Sequence, residues 1–165
     1  MTRVLYAGSF DPITKGHMNI IEQSSRLFDE VVVAVLQNSS KKNSLFALEE
    51  RMEMIREIYK NMDNIKIVSG SGAAVDIALL YGCKALVRGL RSVSDYDYEV
   101  QLAEINRDIS NNEINTICLF ADREYQFISS SVVKEVFNLN KDITKYVDPV
   151  VKNKMLIKRK EEKNE

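Results

Sequence analysis

Two cysteines, one histidine and no long apolar run set the first limits on this 165-residue chain. Cys83 and Cys118 both stand among apolar neighbours and read as reduced core thiols, not as a disulfide framework. Together with His17 they are too few for a zinc site. The longest apolar stretch, Val31 to Leu36, has strand length and falls far short of the ~18 residues a membrane helix needs. No basic leader precedes an apolar segment at the N-terminus, and Asp11-Pro12 interrupts it early, so no signal peptide is expected and the expected location is cytoplasmic. An excess of positive charge is missing too. The 23 Lys and Arg against 24 Asp and Glu give a formal charge of −1, which argues against a dedicated nucleic-acid binder. Local basic clusters remain free to hold a small phosphorylated ligand.

What is present is ordinary for a soluble domain, with 45% hydrophobic and 28% charged residues. No repeat, linker or low-complexity tract divides the chain, so residues 1–157 read as one domain. The charged tail, 158–165, is expected to fray. Apolar, β-branched runs at 4–7, 31–36, 65–68, 84–88 and 115–120 read as buried strands. Between them, helical spacing marks Ile20-Ile21 to Leu27-Phe28, Leu48 to Tyr59, Ala73 to Tyr81 and Tyr98 to Ile109. Ser69-Gly70-Ser71-Gly72 reads as a turn, Ser129 to Phe137 as a helix, and Ile143 to Ile157 as one or two more. The alternation predicts an α/β fold with a doubly wound, five-stranded parallel sheet. Ligands of such sheets lie at the carboxyl ends of the strands. Ser9, Lys41, Ala74, Arg88 and the segment 125–131 all follow strand ends.

The opening stretch is the most informative. Val4-Leu5-Tyr6-Ala7 ends at Gly8, turns through Asp11-Pro12 and enters a helix carrying His17. Gly8 permits close backbone approach, Pro12 stops regular structure and Thr14 is placed to cap the helix. A strand, a small-residue turn and an outward helix N-terminus suit a phosphate. Arg88-Gly89-Leu90-Arg91 puts two guanidinium groups where an apolar strand ends, a poor core and a good phosphate site. Ser129-Ser130-Ser131 favours a helix cap, and free N–H groups at a helix start also bind phosphate. Lys41 alone is an ordinary loop lysine, and Glu99 alone an ordinary acid on an amphipathic helix.

In order, Gly8-Ser9-Phe10-Asp11-Pro12 and Thr14-Lys15-Gly16-His17 resemble the (H/T)xGH nucleotidyltransferase signature. With Thr14 in the first slot, with Arg88-Gly89-Leu90-Arg91 through Asp95, Tyr98 and Glu99, and with Ile128-Ser129-Ser130-Ser131, the chain resembles the bacterial phosphopantetheine adenylyltransferases. The resemblance runs from residue 3 to about residue 150. Ala7 stands where proline is common, and Ala73-Ala74 where bulkier aliphatic residues are common.

The resemblance implies a Rossmann-like nucleotidyltransferase fold. It implies transfer of the adenylyl group of ATP to 4′-phosphopantetheine, giving 3′-dephospho-coenzyme A and pyrophosphate, with Mg²⁺. His17 would stabilise the transition state, with Lys41 and Arg91. Ser9, Phe10, His17, Gly89, Leu90, Arg91, Glu99, Tyr125, Gln126, Phe127, Ile128, Ser129, Ser130 and Ser131 would bind ATP. Ser9, Lys41, Ala74 and Arg88 would bind phosphopantetheine, and no protein side chain is assigned to the metal. The resemblance also implies a homohexamer, with the helix face of Tyr98, Leu102 and Ile105 between subunits, and coenzyme A as a feedback ligand. Two alternatives stay open. One is another enzyme of the superfamily acting on nicotinamide mononucleotide or, with CTP, on a phosphorylated alcohol. The other is a nucleotide-binding module without turnover.

Overall fold

A computed structural model describes residues 1–37 and 44–162. Lys41, with its neighbour Lys42, lies outside the described residues. In chain order the elements are β1 (Arg3–Gly8), α1 (Lys15–Leu27), β2 (Glu30–Leu36), α2 (Leu48–Ile58), β3 (Ile65–Gly70), α3 (Ala74–Leu80), β4 (Ala85–Leu90), α4 (Val93–Ile109), β5 (Asn115–Phe120), a 3₁₀ turn (Arg123–Tyr125), α5 (Ser130–Asn138) and α6 (Pro149–Glu162). The strands are all parallel, in the order β3-β2-β1-β4-β5. This is the doubly wound sheet that the alternation of elements predicts, and its order reverses between β1 and β4.

The period of the strands explains why both faces are covered. Val4, Tyr6, Val31, Val33, Val35, Ala85 and Val87 point to one side, into a core shared with Ile20 and Ile21 of α1, Ile55 of α2, Val133 of α5 and Val151 of α6. Leu5, Val32, Ala34 and Leu86 point to the other, against Val75, Ile77 and Ala78 of α3. Leu5, Val31 and Val32 are fully buried. Each such side chain contributes about 1.5–3 kcal/mol of burial.

The seam between β1 and β4 is incomplete. β1 pairs with β2 along its whole length, from Arg3 opposite Glu30 to Gly8 opposite Val35. With β4 it pairs only at Val4–Ala85 and Leu5–Leu86. Beyond that the two strands part, and their carboxyl ends border an opening.

The structure corrects several sequence boundaries. Ser69 and Gly70 belong to β3, and the turn is confined to Ser71-Gly72, with Gly72 at φ +88°. β4 runs on through Gly89 and Leu90. The last helix starts at Pro149, not near Ile143. It also continues through Glu162, into the segment expected to fray. Arg159 holds it there: its guanidinium lies 3.4 Å from the centre of the Phe137 ring, it donates to the Phe137 carbonyl, and its Nη1 donates to Asn140 Oδ1 at 3.0 Å. Lys158 adds an ion pair with Glu50 at 3.5 Å. Cys83 is buried as expected, but Cys118 is exposed, because it lies on β5 at the open edge of the sheet.

Candidate active site

The opening between β1 and β4 is a cleft of about 360 Å³. Of the expected site residues it brings together Ser9, Phe10, His17, Arg88, Gly89, Arg91, Glu99 and Ile128. Each arrives for a local reason. Gly8 ends β1 against the Phe10 ring, which is 1% exposed and meets Tyr6 and His17 edge-on. The ring of Phe10 is therefore largely core, and its backbone turns through φ +47° beside the cleft. Asp11 fixes the turn by accepting from the N–H groups of Leu45 and Phe46, both at 2.9 Å.

Thr14 caps α1 and in doing so sets His17. The hydroxyl of Thr14 accepts from the His17 N–H, and the Thr14 N–H donates to His17 Nδ1 at 3.0 Å. A ring nitrogen that accepts carries no proton, so the neutral imidazole bears its hydrogen on Nε2. Burial, helped by the Arg91 charge, lowers the pKa of His17 from 6.5 to about 4. At neutral pH the ring is an uncharged Nε2–H donor. This has a consequence for stability. In the unfolded chain the ring takes a proton near pH 6.5, and in the fold only near 4. Between those values the unfolded state binds the extra proton, so stability falls as pH falls. The melting temperature of His17→Gln is expected to drop less than that of the parent between pH 6.5 and 4. Parallel curves would mean a solvated ring.

Opposite the histidine, Glu99 of α4 grips Arg88 at two points, accepting from Nε and Nη2 at 2.7 Å each. Glu99 is 7% exposed, so its carboxylate is committed to Arg88, and the fork leaves Arg88 Nη1 for a ligand. Arg91 is more exposed and pairs with Asp95 at 3.5 Å. Tyr6, beneath the arginines, has its pKa pushed up to about 12, chiefly by burial, and stays a neutral phenol. Gly89 is needed by packing as much as by access, since a Cβ there would lie 2.8 Å from Ile20 Cγ1.

The other expected residues take different places. Leu90 turns its side chain inward and gives its carbonyl to the Ala121 N–H. Tyr125 and Ile128 seat the segment after β5 on α1: a Cβ on Gly16 would meet the Ile128 carbonyl at 2.9 Å and the Tyr125 carbonyl at 3.5 Å. Asn19 reinforces this seat by donating to Asp122 Oδ2 at 2.6 Å and accepting from the Asp122 N–H at 3.0 Å. Gln126 is half-buried, and Phe127 is 85% exposed. Ser129 accepts from the Val132 N–H as the cap of α5, Ser130 donates to the Pro12 carbonyl at 2.8 Å, and Ser131 is exposed. The start of α5 is thus tied to the same turn as His17. Ser129→Ala is expected to cost about 1 kcal/mol of stability, and to weaken ATP in a calorimetric titration. An unchanged affinity would leave Ser129 as a cap alone.

Ala74 lines a second cavity, of about 170 Å³, on the other face of the sheet. Leu5, Leu86, Leu102 and Asn106 line it too, and Arg88 lines both cavities. Asn106 has no role in the sequence reading, and Leu102 stands there only on a helix face between subunits. Their spacing from Glu99, three and then four residues along α4, is the signal for them. In the main cleft, Ile20 and Asp95 have no site role in the sequence reading, and Tyr98 stands there only on the helix face between subunits. Among the described residues no group of three or more His, Cys, Asp or Glu is placed to hold a metal, and the cleft's own acids are engaged by arginines.

A parallel sheet open at its switch point, with a capped histidine on one lip and two arginines on the other, is the arrangement of a nucleotidyltransferase. The chain belongs to the cytidylyltransferase-like family, which it matches over residues 5–136. Within that family it is 49% identical to the phosphopantetheine adenylyltransferase of Finegoldia magna over 146 residues, 88% of this chain and 89% of the relative. Among solved structures, a provisionally assigned nicotinate-nucleotide adenylyltransferase from Vibrio parahaemolyticus has a TM-score of 0.66 at 19% identity, over 94% of this chain and 99% of its own. A lipopolysaccharide core biosynthesis protein from Thermoplasma volcanium has a TM-score of 0.55 at 21% identity, over 74% and 97%. At these identities the two structures show a shared fold.

Proposed function

We propose that this protein transfers the adenylyl group of ATP to the phosphate of 4′-phosphopantetheine, forming 3′-dephospho-coenzyme A and releasing pyrophosphate. The observation that carries this reading is the position of Arg88 in the lining of both cavities. The polar cleft has the size and the donors for a nucleotide's phosphates. The apolar cavity behind it, with the Asn106 amide, suits a slender arm bearing amides. Arg88, held by Glu99, would receive the acceptor's phosphate where the two meet.

The chemistry asks little of the protein beyond placement. An oxygen of the acceptor phosphate attacks the α-phosphorus of ATP. The bond from that phosphorus to the β-bridging oxygen breaks, and the electron pair leaves with pyrophosphate. The attacking phosphate is largely ionised at neutral pH, its second pKa being about 6, so it needs no base. His17, as a neutral donor, would hydrogen-bond the α-phosphate oxygens as charge grows on them. Lys41 and Arg91 would neutralise the triphosphate, with Ser9, the backbone at Phe10 and Gly89, and the segment 125–131 around the nucleotide. Mg²⁺ would enter with ATP, since among the described residues the acids of the cleft, Asp95 and Glu99, are paired with Arg91 and Arg88.

Release of pyrophosphate on mixing protein, Mg²⁺-ATP and 4′-phosphopantetheine tests the reading. Turnover with nicotinamide mononucleotide and none with phosphopantetheine would overturn it, and tight ATP binding with no turnover would make the protein a binding module. Omitting Mg²⁺ and adding coenzyme A to the same assay test the metal and the feedback ligand. The exposed Tyr98, Val100, Ile105 and Ile109 of α4 favour a homo-oligomer, here proposed as a hexamer, which sedimentation checks. Among the described residues no helix is long and apolar enough to cross a membrane. A cytoplasmic location is part of the proposal, and cell fractionation tests it.

A further inference from the structure

Arg51, on α2, is 4% exposed and lines neither cavity. Its Nη1 donates to the Ser9 carbonyl at 2.6 Å and to the Leu36 carbonyl at 3.2 Å, and its Nε is buried without a partner. Among the described residues no carboxylate forms an ion pair with it. Asp11, the acid of the same turn, commits its oxygens to the Leu45 and Phe46 N–H groups and to Lys134 at 3.4 Å. An arginine keeps its proton in a protein, and a buried charge without a counter-charge is costly. Four other arginines, Arg3, Arg56, Arg88 and Arg91, each pair with an acid.

The geometry of one peptide says what the charge is for. The Ser9–Phe10 bond is trans, so its C=O and N–H point in opposite directions. With the carbonyl drawn to Arg51, the Phe10 N–H is turned away from Arg51, and both residues line the cleft. A cation on the carbonyl also polarises the amide and makes its N–H a better donor. We infer that Arg51 is a positioning residue for phosphate: it aims and polarises the Ser9–Phe10 peptide, and its uncompensated charge is balanced by the substrate's phosphates when they bind. The inference rests on the adenylyl-transfer reading for the identity of those phosphates. It concerns a buried residue behind the site, outside the lining of both cavities.

The test compares pyrophosphate, the anionic leaving group, with adenosine, which is neutral. Dissociation constants for both are measured by calorimetry on the parent, on Arg51→Met and on Arg51→Lys. Arg51→Met is expected to weaken pyrophosphate on the order of tenfold, the scale of one hydrogen bond to a charged group, and to leave adenosine unchanged. Arg51→Lys, which keeps the charge and loses the fork, is expected to recover part of the loss. Pyrophosphate bound by Arg51→Met as tightly as by the parent would overturn the inference, as would an equal loss for adenosine. Should Arg51→Met fail to fold by its melting curve, Arg51→Lys decides: selective weakening of pyrophosphate supports the role, and parent-like values for both ligands overturn it. A parent that binds pyrophosphate but does not turn over phosphopantetheine faults the acceptor assignment, and the comparison of variants still stands on its own readout.

Discussion

His17→Ala is expected to lower kcat about 10²–10³-fold, roughly 2.7–4 kcal/mol, while KM for ATP stays nearly unchanged. The expectation follows from the tautomer. The Thr14 N–H donates to Nδ1, and burial keeps the ring neutral, so the hydrogen on Nε2 is the one the ring has to offer. A donor that meets its partner mainly in the transition state lowers kcat and kcat/KM together. A base would act differently, and an ionised phosphate gives it no proton to take. His17→Gln separates the two roles, since its amide still donates but is no base near neutral pH. Partial activity in His17→Gln supports donation. Full activity in His17→Ala would refute it, as would an adenylyl group trapped on His17 in a quench with ATP alone.

Arg88→Ala should have two effects that a second substitution can part. The first is loss of a charge-assisted contact to the acceptor phosphate, about 1.5–3 kcal/mol in affinity for phosphopantetheine. The second is structural. The Glu99 side chain is 9% exposed, and without Arg88 it is a buried carboxylate with no cation. Breaking such a pair from one side costs roughly 3–5 kcal/mol of stability. Arg88→Ala with Glu99→Gln removes the stranded charge. The double variant is therefore expected to regain most of the stability in a urea titration and none of the affinity. If affinity returned with stability, Arg88 would serve only to neutralise Glu99.

The parts of this molecule that depend on neighbours in sequence are legible in the sequence itself. Val31 to Leu36 could only be a buried strand, and Thr14, three residues before His17, was a readable cap. Ser9, Arg88 and the segment 125–131 read as following strand ends, and Ser9, Arg88 and Ile128 line one cleft with His17. What sequence hides is pairing at a distance. Glu99 reads as a solvated acid until the turn from β4 into α4 folds it back on Arg88. Arg159 reads as part of a loose tail because its partners, Phe137 and Asn140, belong to another element. Arg51 sits in a run of charges on an amphipathic helix, and only burial singles it out. Phe10 does two things where the signature shows one: it lines the cleft, and its ring also packs in the core beneath the turn against Tyr6 and His17.

The incomplete pairing of β1 with β4 makes the sheet mechanically two leaves, β3-β2-β1 and β4-β5. Ser9 leaves the end of the first, and Arg88 rides on the second. Toward their carboxyl ends no ladder joins the leaves; α1, across β2, β4 and β5 on one face, and α3, across β1 and β4 on the other, hold them together, with Ile20 of α1 pressed into the space that Gly89 leaves open. The span between the two lips of the cleft is therefore held in part by apolar contact under the helix that carries His17. Such contact has no preferred direction and is sensitive to single methyl groups. Side-chain volume at positions 20 and 89 is thus one means of changing the reach from lip to lip without altering a charged group.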